Sequence, residues 1–196
     1  MNNKPILLIG FYNKRAMGVR YLERSLIKSG YKVYTLFFKD FNSVNPKRVT
    51  SEELTLLKTL VGFLEPGLIG LSVMSSLYLE TVISVNNYLH RNFSIPIVWG
   101  GLYASLFPEG SLEHADLVLR GEGEEAILEL ANAILNNKPH KSIKNLAYKE
   151  QADKHTDSSS FILNDLRPLC EDLDKLGYPL FNIDNKFFID NDRLVH

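Results

Sequence analysis

The sequence predicts an α/β domain with a doubly wound, mostly parallel five-stranded sheet. Three observations carry this reading. Short continuous apolar runs recur, as in "PILLIG", "LIGLSV" and "IPIVWGG", the pattern of strands buried on both faces of a parallel sheet. Segments with helical spacing separate them, which makes five successive βα units. Glycine and serine gather just after the strands, where backbone must turn tightly or approach a ligand.

The elements follow in order. Ile6–Ile9 is the first strand. Val19, Leu22, Leu26 and Ile27 fall at helical spacing, so a helix begins near Gly18 and stops at Gly30. "YKVYTLFF" is the second strand. The polar loop "KDFNSVNPKRVT" is longer than the usual ~2–6 residues of a βα connection. Thr50 or Ser51, with Glu53 after it, has the pattern of an N-cap and opens a helix to about Leu64. Pro66-Gly67 breaks that helix before the third strand, "LIGLSV". "SSLYLETVISVNNYLHRNF" is a helix, "IPIVWGG" the fourth strand and "ADLVLRGEG" the fifth. "EEAILELANAILNN" is a helix ending at Asn136-Asn137. Right-handed crossovers put helices on both faces. The residue count favours the flavodoxin-like strand order 2-1-3-4-5 over a six-stranded dinucleotide fold.

Beyond Pro139 the pattern changes. "KNLAYKE" and "SFILNDL" flank the polar turn "QADKHTDSSS" and read as a C-terminal hairpin. The remainder, from "RPLC" to His196, has little periodicity and reads as an extended arm. The chain therefore divides into a domain over residues 1–140 and a hairpin with a linker arm over 141–196.

Composition narrows the function. Of 196 residues, 45% are hydrophobic and 23% charged, with a net charge of −1. That balance gives no basic field for nucleic acid. No apolar run approaches the ~20 residues of a membrane span, and no secretory signal is visible. A cytoplasmic protein is the default expectation. The single cysteine, Cys170, cannot form an internal disulfide, a Cys-based zinc site or an iron–sulfur cluster. It sits among acids in "RPLCEDLD" and reads as structural. Phosphate-loop, G-x-G-x-x-G and H-E-x-x-H motifs are absent. None of the five histidines falls in a loop after a strand, and His114 is the nearest. No residue is a candidate for catalysis, and none is a candidate metal ligand.

Ligands of open α/β sheets lie beyond the carboxyl ends of the strands. The informative segments are therefore Gly10–Gly18, Ser72–Ser76, Gly100–Ser105 and Gly121–Glu124. Three of the four are rich in Gly and Ser, which suits a large ligand lying against backbone. Glu124 and Glu125 at a helix start are explained by the helix dipole. Glu122, between two glycines, is not.

Together "LIGLSVMSS", "IPIVWGGLYASLFPE", "ADLVLRGEGEEAILEL" and "LDKLGYP" resemble the N-terminal cobalamin-binding domain of B12-dependent radical S-adenosylmethionine (SAM) enzymes. The likeness runs from about Lys4 to Tyr178. It implies a Rossmann-like domain with the corrinoid across the strand ends and its nucleotide tail in a groove between sheet and helix. Related domains use a D-x-H-x-x-G loop whose histidine binds cobalt, with S-x-L and G-G motifs along the tail. Aligned on Gly18, Asn13 takes the place of the acid and Arg15 that of the histidine. Ser72-Val73-Met74 stands for S-x-L, and Gly100-Gly101 for G-G.

The resemblance thus implies a cofactor site of Asn13, Arg15, Ala16, Met17 and Gly18 beneath the corrin. Ser72, Val73, Met74, Ser75, Gly100, Gly101, Leu102, Tyr103, Ala104, Ser105, Gly121, Glu122 and Gly123 would line the tail. A guanidinium has no free lone pair, so cobalamin would bind with its own base displaced and no protein histidine on cobalt. The SAM-cleaving [4Fe–4S] cluster needs C-x-x-x-C-x-x-C, which this chain lacks. The expectation is a cobalamin-binding fragment, not catalytic alone, that works with a radical SAM barrel in cis on methyl transfer or radical rearrangement. Two rival readings are a degenerate domain that binds no corrinoid and serves as an interaction module, and a flavodoxin-like enzyme or nucleotide-binding domain.

Overall fold

The computed structural model describes residues 4–150 and 160–196. The "QADKHTDSSS" turn lies almost wholly outside the described residues. Strand β1 (Ile6–Phe11) is buried along its whole length, as an apolar run at the centre of a sheet must be. Helix α1 (Met17–Lys28) follows, then β2 (Val33–Phe38). Helix α2 (Ser51–Leu64) starts with a complete capping box. The Thr50 hydroxyl accepts the Glu53 N–H, and the Glu53 carboxylate accepts the Thr50 N–H. That reciprocal arrangement satisfies two donors that the helix leaves unpaired.

Strand β3 (Leu68–Ser72) leads through a single 3₁₀ turn, Ser76–Tyr78, into helix α3 (Leu79–Asn92). Between β4 (Ile97–Gly100) and β5 (Leu117–Leu119) stand two helices of five residues each, α4 (Leu102–Leu106) and α5 (Pro108–Leu112). The sequence did not predict them, because one helical turn is too short to show periodicity. Helix α6 (Glu124–Leu135) completes the fifth βα unit.

The parallel core has the order predicted, 2-1-3-4-5. Four further strands extend it. Strands β6 (Leu146–Glu150) and β7 (Ser160–Leu163) form the expected hairpin and pair antiparallel with β5 and with each other. The remainder of the chain, expected as an extended arm, ends in two strands. β8 (Lys186–Asp190) pairs parallel with β2, and β9 (Arg193–Val195) turns back antiparallel on β8. Among the described residues the sheet therefore has nine strands, in the order β7-β6-β5-β4-β3-β1-β2-β8-β9. Residues 164–185 form a strap that crosses from one edge of the sheet to the other.

Alternation along β1 divides the core into two layers. Leu7 and Ile9 join Leu57, Val61, Val85 and Trp99 under α2 and α3. Ile6 and Leu8 join Val19, Leu26, Val98 and Leu130 under α1 and α6. Trp99 is fully buried, and its Nε1–H donates to Asn86 Oδ1 at 3.0 Å. The Asn86 amide in turn donates to the His114 carbonyl at 2.8 Å, while the His114 ring stacks on Trp99. His114 is thereby a packing residue.

On the α2 face, Lys39 at the end of β2 meets Glu53 at 2.6 Å, with side chains 3% and 0% exposed. A buried ion pair is weak evidence of net stability, but removal of one partner strands the other charge in the core. The substitution Lys39→Met should lower unfolding free energy by ~3–5 kcal/mol, measured by urea denaturation. A loss below ~1 kcal/mol would mean that water reaches Glu53.

Candidate functional site

The site is built by the ends of β1, β3, β4 and β5 and by the helices that follow β1 and β5. Register places Leu8 beside Gly70, and Gly70 beside Val98, in one row across the sheet. This row faces α1 and α6. At Gly70 an added Cβ would lie 2.9 Å from Leu8 Cδ2, so a side chain there would fill the space above the floor. Val19 and Leu22 of α1 form one wall, and Ile127 of α6 with Leu119 the other. The result is an apolar groove of about 290 Å³ that opens at the carboxyl ends of the strands.

Glycines shape the rim of this groove. Gly101 has φ +101 and ψ −178, a region essentially reserved for glycine. A Cβ there would lie 2.7 Å from the Val73 carbonyl oxygen. That carbonyl is committed, since it accepts the Tyr103 N–H at 3.0 Å, while the Val73 N–H donates to the Gly100 carbonyl at 2.7 Å. The loops after β3 and β4 are thus laced together. Gly121, with φ +67, begins the loop after β5. Its N–H donates to Ser105 Oγ at 2.9 Å, and that hydroxyl donates to the Gly101 carbonyl. Gly123 abuts α1, where a Cβ would stand 3.2 Å from Leu22 Cδ2.

Of the residues the sequence singles out, eight line the groove: Gly18, Ser72, Met74, Gly100, Gly101, Gly121, Glu122 and Gly123. Others stand on its rim. Asn13 Oδ1 accepts the Arg15 N–H at 2.9 Å, the side-chain turn common to Asn in loops. Arg15 is exposed. Met17, Met74 and Leu102 present apolar side chains to solvent, 45%, 53% and 57% exposed. Ser75 caps the 3₁₀ turn by accepting the Leu77 N–H. Tyr103 is half-buried with its ring 5.1 Å from Phe107. Ala16, Val73 and Ala104 are buried in the core. Ala104 and Val73 belong to the α2–α3 layer, on the opposite side of the sheet from the groove.

Glu122 has a different environment from the rest. Its carboxylate accepts the Cys170 N–H of the strap at 2.7 Å, and its carbonyl accepts from the Asn145 amide. Asn145 is almost fully buried, with φ +70. It also donates to the Arg120 carbonyl and accepts the Arg167 N–H. This one side chain fastens the Gly121–Gly123 loop to the strap. Cys170 is half-buried, and its thiol points at the Asp172 carbonyl.

Sequence reasoning missed Leu8, Val19, Leu22, Gly70, Val98 and Ile127 as groove residues, and Asn145 as the loop's anchor. Gly70 carried a usable signal, because a glycine inside a strand often marks a close approach of ligand or backbone.

The glycine-rimmed crevice lies at the carboxyl ends of a doubly wound sheet, where open α/β sheets bind their ligands. A model of the B12 binding domain matches residues 13–131. The chain belongs to that family. It is 24% identical over 138 residues to an uncharacterized methyltransferase of Pyrococcus horikoshii, covering 68% of this chain and 28% of that protein. Among solved structures, the fold is similar to the radical SAM methyltransferase TsrM from Kitasatospora setae. The TM-score is 0.63 at 20% identity, over 74% of this chain and 28% of that one. The cobalamin-dependent radical SAM enzyme OxsB matches with a TM-score of 0.60 at 16% identity, over 85% of this chain and 22% of that one. The chain spans between about a fifth and somewhat more than a quarter of the length of these proteins. No helix among the described residues is long and apolar enough to cross a membrane.

The Gly101 geometry yields a test of the rim. Gly101→Ala must relieve a 2.7 Å contact with a committed carbonyl and hold a strained backbone, at a cost of ~1–3 kcal/mol. Thermal melting should fall accordingly, while Gly110→Ala, inside α5 and with its Cβ meeting nothing within 4 Å, should leave it unchanged or slightly raised.

Proposed function

We propose that this domain holds cobalamin across the carboxyl ends of its sheet, with the nucleotide tail in the groove and no protein histidine on cobalt. The carrying observation is the groove itself: an apolar trench between α1, α6 and the sheet, with Gly70 and Gly100 on its floor and Gly123 against the α1 wall. Residues present fit such a group. Its charged lining residues are Glu122 and Glu124, so a phosphate-rich nucleotide would meet acids with no cation to offset it. A flat, neutral aromatic base meets Val19, Leu22, Leu119 and Ile127 instead, whose burial is favourable in proportion to apolar area. Exposed Met17, Met74 and Leu102 offer the rim an apolar surface for the corrin ring, and polarizable methionines adapt well to an irregular partner.

A tail base inserted in the groove is displaced from cobalt. Arg15 occupies the place of the histidine in the D-x-H-x-x-G pattern, and a guanidinium, always protonated, donates hydrogen bonds without coordinating. Among the described residues no histidine lines the groove. When bound, cobalamin supplies a cobalt centre suited to methyl transfer or radical rearrangement. This chain's share is to bind the tail, orient the ring and keep water from its lower face. The reaction itself would belong to a radical SAM barrel in cis, which would carry SAM and the [4Fe–4S] cluster. Support for the barrel comes from the similarity to TsrM and OxsB and from the small share of their length that the chain spans.

Reconstitution with hydroxocobalamin, followed by desalting and a visible spectrum, tests the reading. About one retained equivalent with a base-off spectrum is expected. A folded protein that retains none would make the domain an interaction module, and a retained flavin or nucleotide would make it a different binding domain. Arg15→His should add a nitrogen ligand and shift the spectrum. An unchanged spectrum in a variant that still binds would mean that Arg15 does not lie beneath the cobalt.

A further inference from the structure

The first loop and the strap meet at one side chain. Arg20, on the second turn of α1, is 7% exposed. Its Nη2 donates to the Lys14 carbonyl at 2.5 Å, inside the loop between β1 and α1. Its Nη1 donates to the Leu180 carbonyl of the strap at 2.7 Å. The guanidinium lies between two rings, 4.9 Å from Phe37 of the sheet and 4.6 Å from Phe181 of the strap. The planar fork thus ties one carbonyl of the loop and one of the strap to the same guanidinium.

This arrangement is costly as packing alone. Arg20 Nε is buried without a partner, and an unpaired buried donor is unfavourable. An apolar residue on this face would fill the same space without that cost.

Arg20 is also the loop's firmest tie to the strap side of the domain. Within the loop, the Arg15 and Ala16 N–H groups bond back to Asn13. The Lys14–Asp40 pair is exposed on both sides, and such pairs contribute little. The strap has separate holds elsewhere. Arg24 Nε donates to the Leu176 carbonyl at 3.0 Å, Glu23 accepts from Asn185 and Lys186, and Glu122 accepts the Cys170 N–H. The strap thus grips both walls of the groove, α1 and the loop that opens α6. Of these holds, Arg20 is the one that also bonds the first loop.

We propose that Arg20 is a positioning residue that locks the Asn13–Gly18 loop to the C-terminal strap, so that the strap sets the geometry of the loop beneath the cofactor. The cofactor half of this proposal rests on the cobalamin reading; the loop–strap lock does not.

The test compares Arg20→Met with Arg24→Met, which frees the same strap without touching the loop. Amide hydrogen exchange on cofactor-free protein and hydroxocobalamin titration are measured on both. Arg20→Met should speed exchange over residues 13–18 by tenfold or more and weaken cobalamin binding by about tenfold. Arg24→Met should speed exchange only near residues 176–178. If Arg20→Met does not fold, Arg20→Lys keeps the charge without the planar fork and reports the same two quantities. Loop exchange and affinity that stay at wild-type values in a folded Arg20 variant overturn the proposal, as does an equal effect from Arg24→Met. If the wild-type protein binds no cobalamin, the cofactor reading fails, and the exchange comparison still decides the lock.

Discussion

Glu23 is fully buried, and a carboxylate in that position is costly unless charge and hydrogen-bond donors meet it. Lys186 Nζ at 2.9 Å and the Asn185 amide at 2.6 Å meet it. Both partners lie more than 160 residues later, at the start of β8. The contact fixes where the last part of the chain joins the sheet. The chain must return from the hairpin at one sheet edge, cross α6 and α1, and enter beside β2 at the other edge. The opposite layer repeats the device, with Lys39 and Glu53 buried against each other. Two ion pairs, one on each face, thus bracket β2, the strand through which the added β8–β9 ladder joins the parallel core.

The strap that results is held mainly through polar contacts. Arg167 meets Glu125 and Glu129 of α6, while Arg20 and Arg24 of α1 reach strap carbonyls. Large apolar side chains of the strap, Leu169, Tyr178, Phe181 and Ile183, remain exposed. A segment fastened by hydrogen bonds, with little apolar burial, opens locally at lower cost than a core strand. The groove therefore combines a rigid floor, the sheet row Leu8–Gly70–Val98, with helix walls whose fastening to the strap has lower local stability. That division suits a site that must admit a bulky group and then hold it.

How much of this could be read from the sequence depends on the range of the interactions. The capping box at Thr50 and Glu53 spans four residues and is legible. So are the five βα units, their order and the glycine loops, because buried parallel strands and helix stops leave local patterns. Helices α4 and α5 are single turns and leave none, which is why Ala104 read as a loop residue although its helix turns it into the core. The arm looked featureless because its order comes from Glu23, Arg20 and Arg24, whose polar pattern on α1 resembles an ordinary solvated face. Glu122 was conspicuous between its glycines, but its partner, the Cys170 N–H, lies 48 residues away.

The position of the groove has a topological cause that the glycines only refine. In a sheet of order 2-1-3-4-5 the strands β1 and β3 run parallel, but the winding proceeds from them toward opposite edges, so α1 and α3 leave toward opposite faces and open a crevice at that seam. Leu8 of β1 and Gly70 of β3 are register neighbours across it. Any sequence with this winding has the crevice, and the side chains along its floor decide how deep it is. Here the residue on β3 is a glycine, and the next neighbour, Val98, is short. The floor stays low and the helix walls stand apart above it. Fold therefore dictates where a ligand lies, while the small residues along one register row dictate that it reaches down to the sheet. A group that reaches that far into the trench meets the apolar side chains of Leu8, Val19, Val98 and Ile127, an environment that favours an uncharged group, and this constraint comes from the strand row and the helix walls before any residue of the loops is considered.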